Sequence, residues 1–152
     1  MMNITDILTP DAVKVPLLAT GKRDIIDELV DLLAEAGLID DPDTLKQVVW
    51  DREQQRSTGI GEGLAIPHGK SNCSKNLVMA VGRPAKPIDF DAVDGQPVYL
   101  VVLLASPPDK TSEHIQALGK ISRLMADPNF RVSAYAAESA EDMYRLFEQA
   151  EA

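Results

Sequence analysis

Two histidines are the side chains in this sequence best able to take up and release a phosphoryl group or a proton near neutral pH. The first, His68, lies in the segment 66–70, whose sequence is Ile-Pro-His-Gly-Lys. Pro67 restricts the backbone before the histidine and Gly69 frees it afterwards, so the imidazole is presented from a defined backbone. A loop histidine with one backbone hydrogen bond is the alternative interpretation, because a single residue does not define a reaction.

The second histidine, His114, falls in the first turn of a predicted helix that follows the most hydrophobic segment of the chain. Open α/β sheets bind ligands at the carboxyl ends of their strands. A helix N-terminus also attracts anions and lowers the pKa of a nearby imidazole. The position therefore favours an anionic ligand beside His114, and the alternative is an ordinary surface residue in a first helical turn.

Arg52 and Arg56 lie four residues apart at the end of another predicted helix and should share one of its faces. A guanidinium group can donate two parallel hydrogen bonds to phosphoryl oxygens, which makes arginine the natural clamp for a phosphoryl group. A solvated helix end is the alternative interpretation of this pair.

The remaining motifs disfavour other chemistries. The glycine-rich run 59–63 matches neither the dinucleotide-binding nor the P-loop pattern, but its small residues allow a bulky group or a partner protein to approach His68. With no His-x-x-x-His pair and Cys73 as the one cysteine, a metal site is disfavoured. A serine hydrolase would need a Gly-x-Ser-x-Gly elbow, which is missing. We therefore expect phosphoryl rather than acyl chemistry, with no metal and no cofactor.

Composition limits the partners and the location of the protein. The 152 residues fit one domain over the whole chain, and the net charge of −9 makes nucleic acid and anionic membrane surfaces poor partners. The longest apolar run, Val98 to Ala105, has eight residues, whereas a membrane-spanning helix needs about 20. The first residues carry no basic or apolar leader pattern, so we expect a cytoplasmic protein that is not inserted in a membrane.

The elements that must position these residues follow from hydrophobic periodicity and from glycine and proline punctuation. Segment 57–70 is too rich in glycine for a helix, and 84–91 is predicted as a loop or an edge segment. Two apolar strands are predicted, the second of them central in a sheet covered on both faces. The prediction is a single α/β domain with a mixed sheet flanked by helices. The predicted helices are 22–36, 42–55, 112–126, 130–137 and 139–151, and the predicted strands are 76–82 and 96–105.

Several separated segments, in the same order, resemble the enzyme IIA components of the bacterial phosphoenolpyruvate:sugar phosphotransferase system. The resemblance is to the fructose/mannitol type and, within it, to the nitrogen-regulatory branch. It covers nearly the whole chain and implies a mixed, about five-stranded sheet flanked by helices. The segments that carry it are 7–10 (ILTP), 52–53 (RE), 57–61 (STGIG), 65–70 (AIPHGK), 87–98 (PIDFDAVDGQPV) and 113–114 (EH).

The resemblance implies a role for three residues. His68 matches the histidine that a small histidine-containing phosphocarrier protein phosphorylates. Arg52 matches the family position that stabilises the phosphoryl group, and His114 matches a second active-site histidine. The implied reaction is in-line phosphoryl transfer to the unprotonated nitrogen of His68, with no metal taking part.

Weaker expectations concern the segments around these three residues. Glu62 resembles an acidic residue in the loop beside the site, and Gly69, Ser57 and Thr58 lie within the matching motifs as further binding positions. Arg56 departs from the family, which usually has a small residue before Ser-Thr-Gly, and it adds positive charge near the site.

Three functions stay open from the sequence. The first is a phosphoryl carrier with a regulatory, nitrogen-related output, whose phosphorylation state is read by a target kinase, channel or transporter. The second is a sugar-specific IIA protein that donates to a IIB domain of a fructose or mannitol permease. The third is a non-catalytic anion-binding or sensor module, against which the presence of Arg52, His68 and His114 argues.

Overall fold

The structure, a computed structural model, describes residues 2–150. Two 3-10 turns, Ile4–Asp6 and Pro10–Ala12, precede the first strand. The helices are α1 (Lys22–Glu35), α2 (Pro42–Gln55), α3 (Thr111–Met125), α4 (Pro128–Ala136) and α5 (Ala140–Ala150). The strands are β1 (Val13–Leu17), β2 (Gly59–Gly61), β3 (Leu64–Ala65), β4 (His68–Lys70), β5 (Val78–Pro84) and β6 (Leu100–Ser106).

The strands form one mixed sheet in the order β1-β5-β6-β3-β2. β5 and β6 are antiparallel, whereas β1 runs parallel to β5 and β3 runs parallel to β6. β4 also pairs with β6, in parallel and beyond β3, with Leu64 opposite Leu100 and His68 opposite Leu104. β3 and β4 therefore follow one another along the same edge of β6. The predicted α/β fold with a mixed sheet is confirmed, and six strands occupy five positions across it.

Strand β6 lies in the centre of the sheet, and all seven of its residues are buried. Successive side chains of a strand point to opposite faces, so burial of every residue requires cover on both faces. Helix α1 packs against β5, α2 against β4, α3 against β6 and α5 against β1. The prediction of a central strand covered on both sides is confirmed. None of the helices within residues 2–150 is long and apolar enough to cross a lipid bilayer.

Helix α2 has the boundaries that its capping residues predict. The Asp41 side chain accepts a hydrogen bond from the Thr44 backbone N–H at 3.2 Å, and Pro42 occupies the first helical position. Such a cap satisfies a backbone donor that the first turn leaves free. Because α2 starts at this point, its last turn carries Arg52 to the site.

Four strands were not predicted, namely β1 and the short strands β2, β3 and β4 within segment 57–70, where the prediction only excluded a helix, and the bounds of the two predicted strands are shifted. β1 was not predicted, because its five residues include Pro16 and it forms only by pairing with β5. The second predicted strand starts at Leu100 instead of residue 96. Before it, Val98 exchanges backbone hydrogen bonds with Ile88, and Tyr99 donates to the Gly63 carbonyl. The predicted end of the final helix at residue 151 lies outside the described residues.

Candidate active site

His68 begins strand β4, and its ring is held by the backbone immediately before it. Nδ1 lies 2.8 Å from the carbonyl oxygen of Ile66. Since a carbonyl oxygen can only accept a hydrogen bond, Nδ1 carries the proton in the neutral ring and Nε2 keeps its lone pair. The proline segment thus presents one nucleophilic nitrogen, Nε2, to the cleft described below.

The surroundings of His68 favour its neutral form. Partial burial lowers the pKa of the imidazole below its usual value, and the positive charges of Arg52 and Lys70 lower it further. The hydrogen bond to Ile66 and the carboxylate of Glu53 act in the opposite direction without reversing the shift. Near neutral pH, the His68 ring is therefore neutral, with the proton on Nδ1 and the lone pair on Nε2.

His114 lies in the first turn of α3, and 3% of its surface is exposed. Its ring meets that of His68 edge to face, with the centroids 5.2 Å apart. Burial, followed by the charges of His68 and Lys70, lowers the pKa of His114 to about 4. Its Nδ1 lies 2.8 Å from Ser106 Oγ, whereas Nε2 is buried with no hydrogen-bond partner among the described residues. His114 is a neutral ring with one uncommitted nitrogen.

Arg52 reaches this site because α2 packs closely on β4. A Cβ atom added at Gly69 would lie 2.8 Å from Val48 Cγ1, so glycine is what permits this approach. The Arg52 Nη1 group donates to the Arg56 carbonyl at 3.0 Å, which leaves other guanidinium N–H groups for a ligand. A cleft of about 460 Å³ is lined by Arg52, His68 and His114, together with Val48, Asp51, Gln55, Gly69 and Lys70.

A second cleft, of about 330 Å³, also reaches His68 and Arg52, and its other lining residues are Arg56, Ser57, Thr58 and Ser122 together with the apolar Ile60, Ile66, Val93 and Leu118. We call this space the apolar cleft. Two of its residues, Ile60 and Val93, are 48% and 70% exposed. These two large apolar side chains lie open to solvent close to His68.

The two predicted arginines both line the apolar cleft, but they do not share a helix face. Helix α2 ends at Gln55, and Arg56 has an extended backbone with φ −166°. The Arg56 carbonyl accepts the hydrogen bond from Arg52, while no ion pair involves its guanidinium within residues 2–150. Arg56 therefore offers a free positive charge at the rim of the apolar cleft.

Ser57 and Thr58 hold the loop between α2 and β2. The Ser57 hydroxyl donates to the Phe90 carbonyl at 2.6 Å and accepts from the Gly59 N–H at 3.0 Å. Thr58 is buried and gives both its backbone N–H and its hydroxyl to the carboxylate of Glu53. Both residues line the apolar cleft, but their hydroxyl groups are already occupied by the loop.

Sequence reasoning assigned no role to Glu53, which is 3% exposed. Its carboxylate accepts the two Thr58 hydrogen bonds and pairs with Lys22 Nζ at 3.0 Å, so it ties the end of α2 to the loop and to α1. A signal for it was available, because Glu53 continues the buried stripe of Leu45 and Val49 at a spacing of four residues. A charged residue on such a stripe indicates a buried, paired carboxylate.

Glu62 is placed away from both clefts at His68. It occupies the turn between β2 and β3 with φ +57°, and its carboxylate lies 3.7 Å from Arg131 Nη2 on α4. Its carbonyl accepts from the Tyr135 hydroxyl, and its backbone N–H donates to Asp94 at 3.1 Å. The structure therefore brings Glu62 together with α4 and not with His68. Across residues 2–150, no three histidine, cysteine or carboxylate side chains are grouped as metal ligands.

The mixed α/β sheet thus brings two neutral histidines and an arginine to one cleft, an arrangement that suits phosphoryl transfer. Residues 6–150 match the family described as "Phosphoenolpyruvate-dependent sugar phosphotransferase system, EIIA 2", and the chain belongs to this family.

Relatives of two kinds are similar to this chain. It is 34% identical over 145 residues to a nitrogen regulatory protein of Bradyrhizobium diazoefficiens, covering 95% of this chain and 94% of the relative. It is 36% identical over 148 residues to the fructose-specific EIIABC component of Bacillus subtilis, covering 97% of this chain but 23% of that longer protein. The crystal structure of nitrogen regulatory protein IIA-Ntr from Neisseria meningitidis superposes with a TM-score of 0.87 at 30% identity, covering 95% of this chain and 98% of the other.

Proposed function

We propose that this protein is a phosphoryl carrier of the phosphotransferase system that accepts a phosphoryl group on His68 from a histidine-containing phosphocarrier protein. The observation that carries the proposal is the orientation of His68, whose Nδ1 is held by Ile66 and whose Nε2 is free beside Arg52 and His114. In the reaction, the P–N bond of the donor phosphohistidine breaks while a bond forms from phosphorus to His68 Nε2. The electron pair of the broken bond stays on the donor imidazole.

In this proposal, Arg52 and His114 stabilise the negative charge of the transferred phosphoryl group. Phosphoryl transfer proceeds through a loose transition state in which negative charge spreads over the equatorial oxygens. Arg52 supplies guanidinium N–H donors, and His114 supplies an imidazole donor from a buried, neutral ring. Donor and acceptor are both imidazole nitrogens, so the site has to align the groups and exclude water more than it has to activate a nucleophile.

The phosphocarrier protein docks, in this proposal, over the apolar cleft. The exposed Ile60 and Val93 would be covered by apolar residues around the donor histidine, and the free charge of Arg56 would meet a polar or acidic group. The chain as a whole carries a net charge of −9, so a partner with a basic surface elsewhere would also be attracted at low salt. Nucleic acid is not a partner in this proposal.

The output of phosphorylation is proposed to be regulatory and cytoplasmic. Similarity over almost the full length of a nitrogen regulatory protein supports an output in which a target kinase, channel or transporter reads the phosphorylation state. The alternative is donation to a IIB domain in sugar uptake, which the similarity to an EIIABC component supports. A non-catalytic sensor module is the third possibility, and the convergence of His68, His114 and Arg52 argues against it.

Incubation with phosphoenolpyruvate, enzyme I and the carrier protein tests the acceptor. Intact mass should show one added phosphoryl group that is labile in acid and stable in base, and peptide mapping should place it on His68. The His68→Ala protein serves as the control and should stay unlabelled. A phosphoryl group on a serine or on His114, or no labelling of the wild type, contradicts the proposal.

A second experiment separates the regulatory output from sugar transport. The phosphorylated protein is mixed with fructose-type and mannitol-type IIB domains, and the transferred phosphoryl group is followed over time. For a regulator we expect slow transfer or none, because the output is a binding state. Rapid stoichiometric transfer, with sugar phosphate appearing in membranes that contain the permease, would instead establish the sugar-specific function.

A further inference from the structure

Ser106 is the last residue of β6, and none of its surface is exposed. Its Oγ lies 2.8 Å from His114 Nδ1, which is the hydrogen bond that the structure gives to each of these two side chains. Ser106 belongs to none of the motifs named above and does not line the cleft, but its hydroxyl contacts His114, which does. Which of the two atoms carries the hydrogen of this bond determines whether the other ring nitrogen of His114, Nε2, is a hydrogen-bond donor or an acceptor.

Two arrangements of the proton are possible. If His114 Nδ1 carries the hydrogen, Ser106 Oγ accepts it, and the serine hydrogen then has no acceptor in a site closed to water. In that arrangement His114 Nε2 is also a buried lone pair without a donor. If Ser106 donates instead, its hydrogen is held by the lone pair of His114 Nδ1, and the hydrogen without an acceptor is the N–H at His114 Nε2, a residue that lines the cleft. A buried donor without an acceptor costs about 1–3 kcal/mol, and only the second arrangement places that donor where an anion bound in the cleft can accept from it, which favours the second arrangement.

The uncommitted N–H makes no hydrogen bond to any group among residues 2–150. Lys70, opposite Ser106 across the β4–β6 pair, carries only donors and gives one of them to Thr111 Oγ1 at 3.1 Å. The neighbouring His68 directs a lone pair into the same cleft, and Arg52 and Lys70 provide positive charge there. An anionic oxygen bound next to His68 would be the missing acceptor for His114.

We propose that Ser106 is a positioning residue that keeps His114 in the tautomer protonated at Nε2, so that this nitrogen can donate a hydrogen bond to the phosphoryl group on His68. The role in phosphoryl transfer rests on the proposed function, whereas the tautomer itself does not. Because the serine hydroxyl occupies Nδ1, the ring cannot turn a lone pair towards the incoming negative charge.

Nitrogen NMR tests the tautomer without any phosphorylation. In ¹⁵N-labelled protein near neutral pH, long-range ¹H–¹⁵N spectra of the rings distinguish a protonated from an unprotonated nitrogen, and a His114→Gln protein assigns the signals. We expect His114 to be protonated at Nε2 in the wild type and to shift wholly or partly to Nδ1 protonation in Ser106→Ala. Nδ1 protonation in the wild type overturns the proposal, as does an unchanged tautomer in Ser106→Ala.

Ser74 provides a matched control, because it is also buried and its hydroxyl has no hydrogen-bond partner among residues 2–150. The Ser74→Ala protein should keep the wild-type tautomer and transfer rate. Ser106→Cys, which retains a weaker donor, should lie between wild type and Ser106→Ala, and it is available if the alanine protein does not fold. A Ser74→Ala protein with the same tautomer shift as Ser106→Ala would show a general packing effect and contradict the specific role.

The kinetic test asks whether Ser106 acts through His114. Single-turnover phosphoryl transfer should slow by about 10-fold to 100-fold in Ser106→Ala, less than for loss of the whole imidazole donor. The double variant with His114→Ala should be no slower than His114→Ala alone, since the serine then has nothing to position. Additive slowing overturns the positioning role. Absence of transfer in the wild type would contradict the proposed function while leaving the NMR result to decide the tautomer.

Discussion

The imidazole rings of His68 and His114 meet edge to face at a centroid distance of 5.2 Å and an angle of 68° between their planes. One ring is held by the Ile66 carbonyl so that its outer nitrogen has a lone pair, while the other is held through Ser106. Each ring, when protonated, would repel the other, and burial disfavours the charged forms further. In the proposed reaction, His68 accepts the phosphoryl group and His114 donates a hydrogen bond to its oxygens.

Replacing His114 by alanine should slow transfer without abolishing it. The nucleophile at His68 stays in place, while one preorganised donor is lost, so we expect a reduction of about 10²-fold to 10³-fold. Rapid-quench measurement of single-turnover labelling would give the rate, with His68→Ala as the control that is never labelled. A wild-type rate for His114→Ala would mean that His68 works without its neighbour.

The Arg52→Lys protein should also transfer more slowly than the wild type. Lysine keeps the charge but cannot form two parallel hydrogen bonds, and it loses the geometry that Arg52 gains from the Arg56 carbonyl. The same labelling assay, at saturating carrier protein, measures the effect. Arg56→Lys is the matched control, because it keeps the charge at the apolar cleft and should transfer at nearly the wild-type rate. Equal rates for both variants would remove the clamp role from Arg52.

Burial of His114 should make the stability of the protein depend on pH. Its pKa is about 4 in the folded protein, below the value of about 6.5 in an unfolded chain. Between these values the unfolded chain binds a proton that the folded one does not, so the free energy of unfolding falls as the pH is lowered through this window.

The loss attributable to His114 between about pH 7 and pH 5 is about 2 kcal/mol. Urea unfolding of the wild type and of His114→Gln at both pH values measures it, because the variant lacks this contribution but keeps the other titrating groups. Parallel pH profiles for the two proteins would show that His114 is not a buried neutral ring.

Gly69→Ala should destabilise the fold and slow transfer together. The added Cβ would meet Val48 Cγ1 at 2.8 Å and Val49 Cγ2 at 3.1 Å, so α2 must move away from β4 and carry Arg52 with it. Overpacking of this kind costs about 1–3 kcal/mol. Gly119→Ala in α3 is the control, since its Cβ has ordinary space and alanine stabilises a helix. If Gly69→Ala matched this control in urea unfolding and labelling, the packing argument would be wrong.

Glu53→Gln should lower the free energy of unfolding by about 2 kcal/mol, because Lys22 and Thr58 lose a buried charged partner. The exposed pair of Glu141 with Arg145 gives the comparison, and Glu141→Gln should change stability by no more than about 0.5 kcal/mol. Urea unfolding at one pH measures both. A Glu53→Gln protein as stable as Glu141→Gln would show that the buried carboxylate is not needed to fix the end of α2.

Local signals in the sequence predicted the parts of the fold that local interactions determine. The cap at Asp41 and Pro42 set the start of α2, and an unbroken apolar run marked β6. β1 was missed because a strand containing Pro16 gains its hydrogen bonds from a distant partner. Prediction of β1 would have required knowledge of the strand that it joins.

The candidate site shows the same difference between what local sequence signals predict and what depends on distant parts of the chain. His68, His114 and Arg52 were selected by their types and motifs, and the structure lines one cleft with all three. The proton position of His68 depends on the Ile66 carbonyl within its own motif, whereas that of His114 depends on Ser106, which the motifs do not contain. The contact with Ser106 follows from the packing of α3 against β6, which the spacing of residues along the chain does not reveal.

Both histidines are held by contacts with the same strand, β6. His68 is in register with Leu104, and the hydroxyl that holds His114 is carried two residues further along the same strand. Fraying of α5 or opening of the 85–99 segment would therefore leave the separation of the two rings unchanged. We expect the amides of β6 to exchange with deuterium only when the whole chain unfolds, so that the alignment of the site lasts as long as the fold itself.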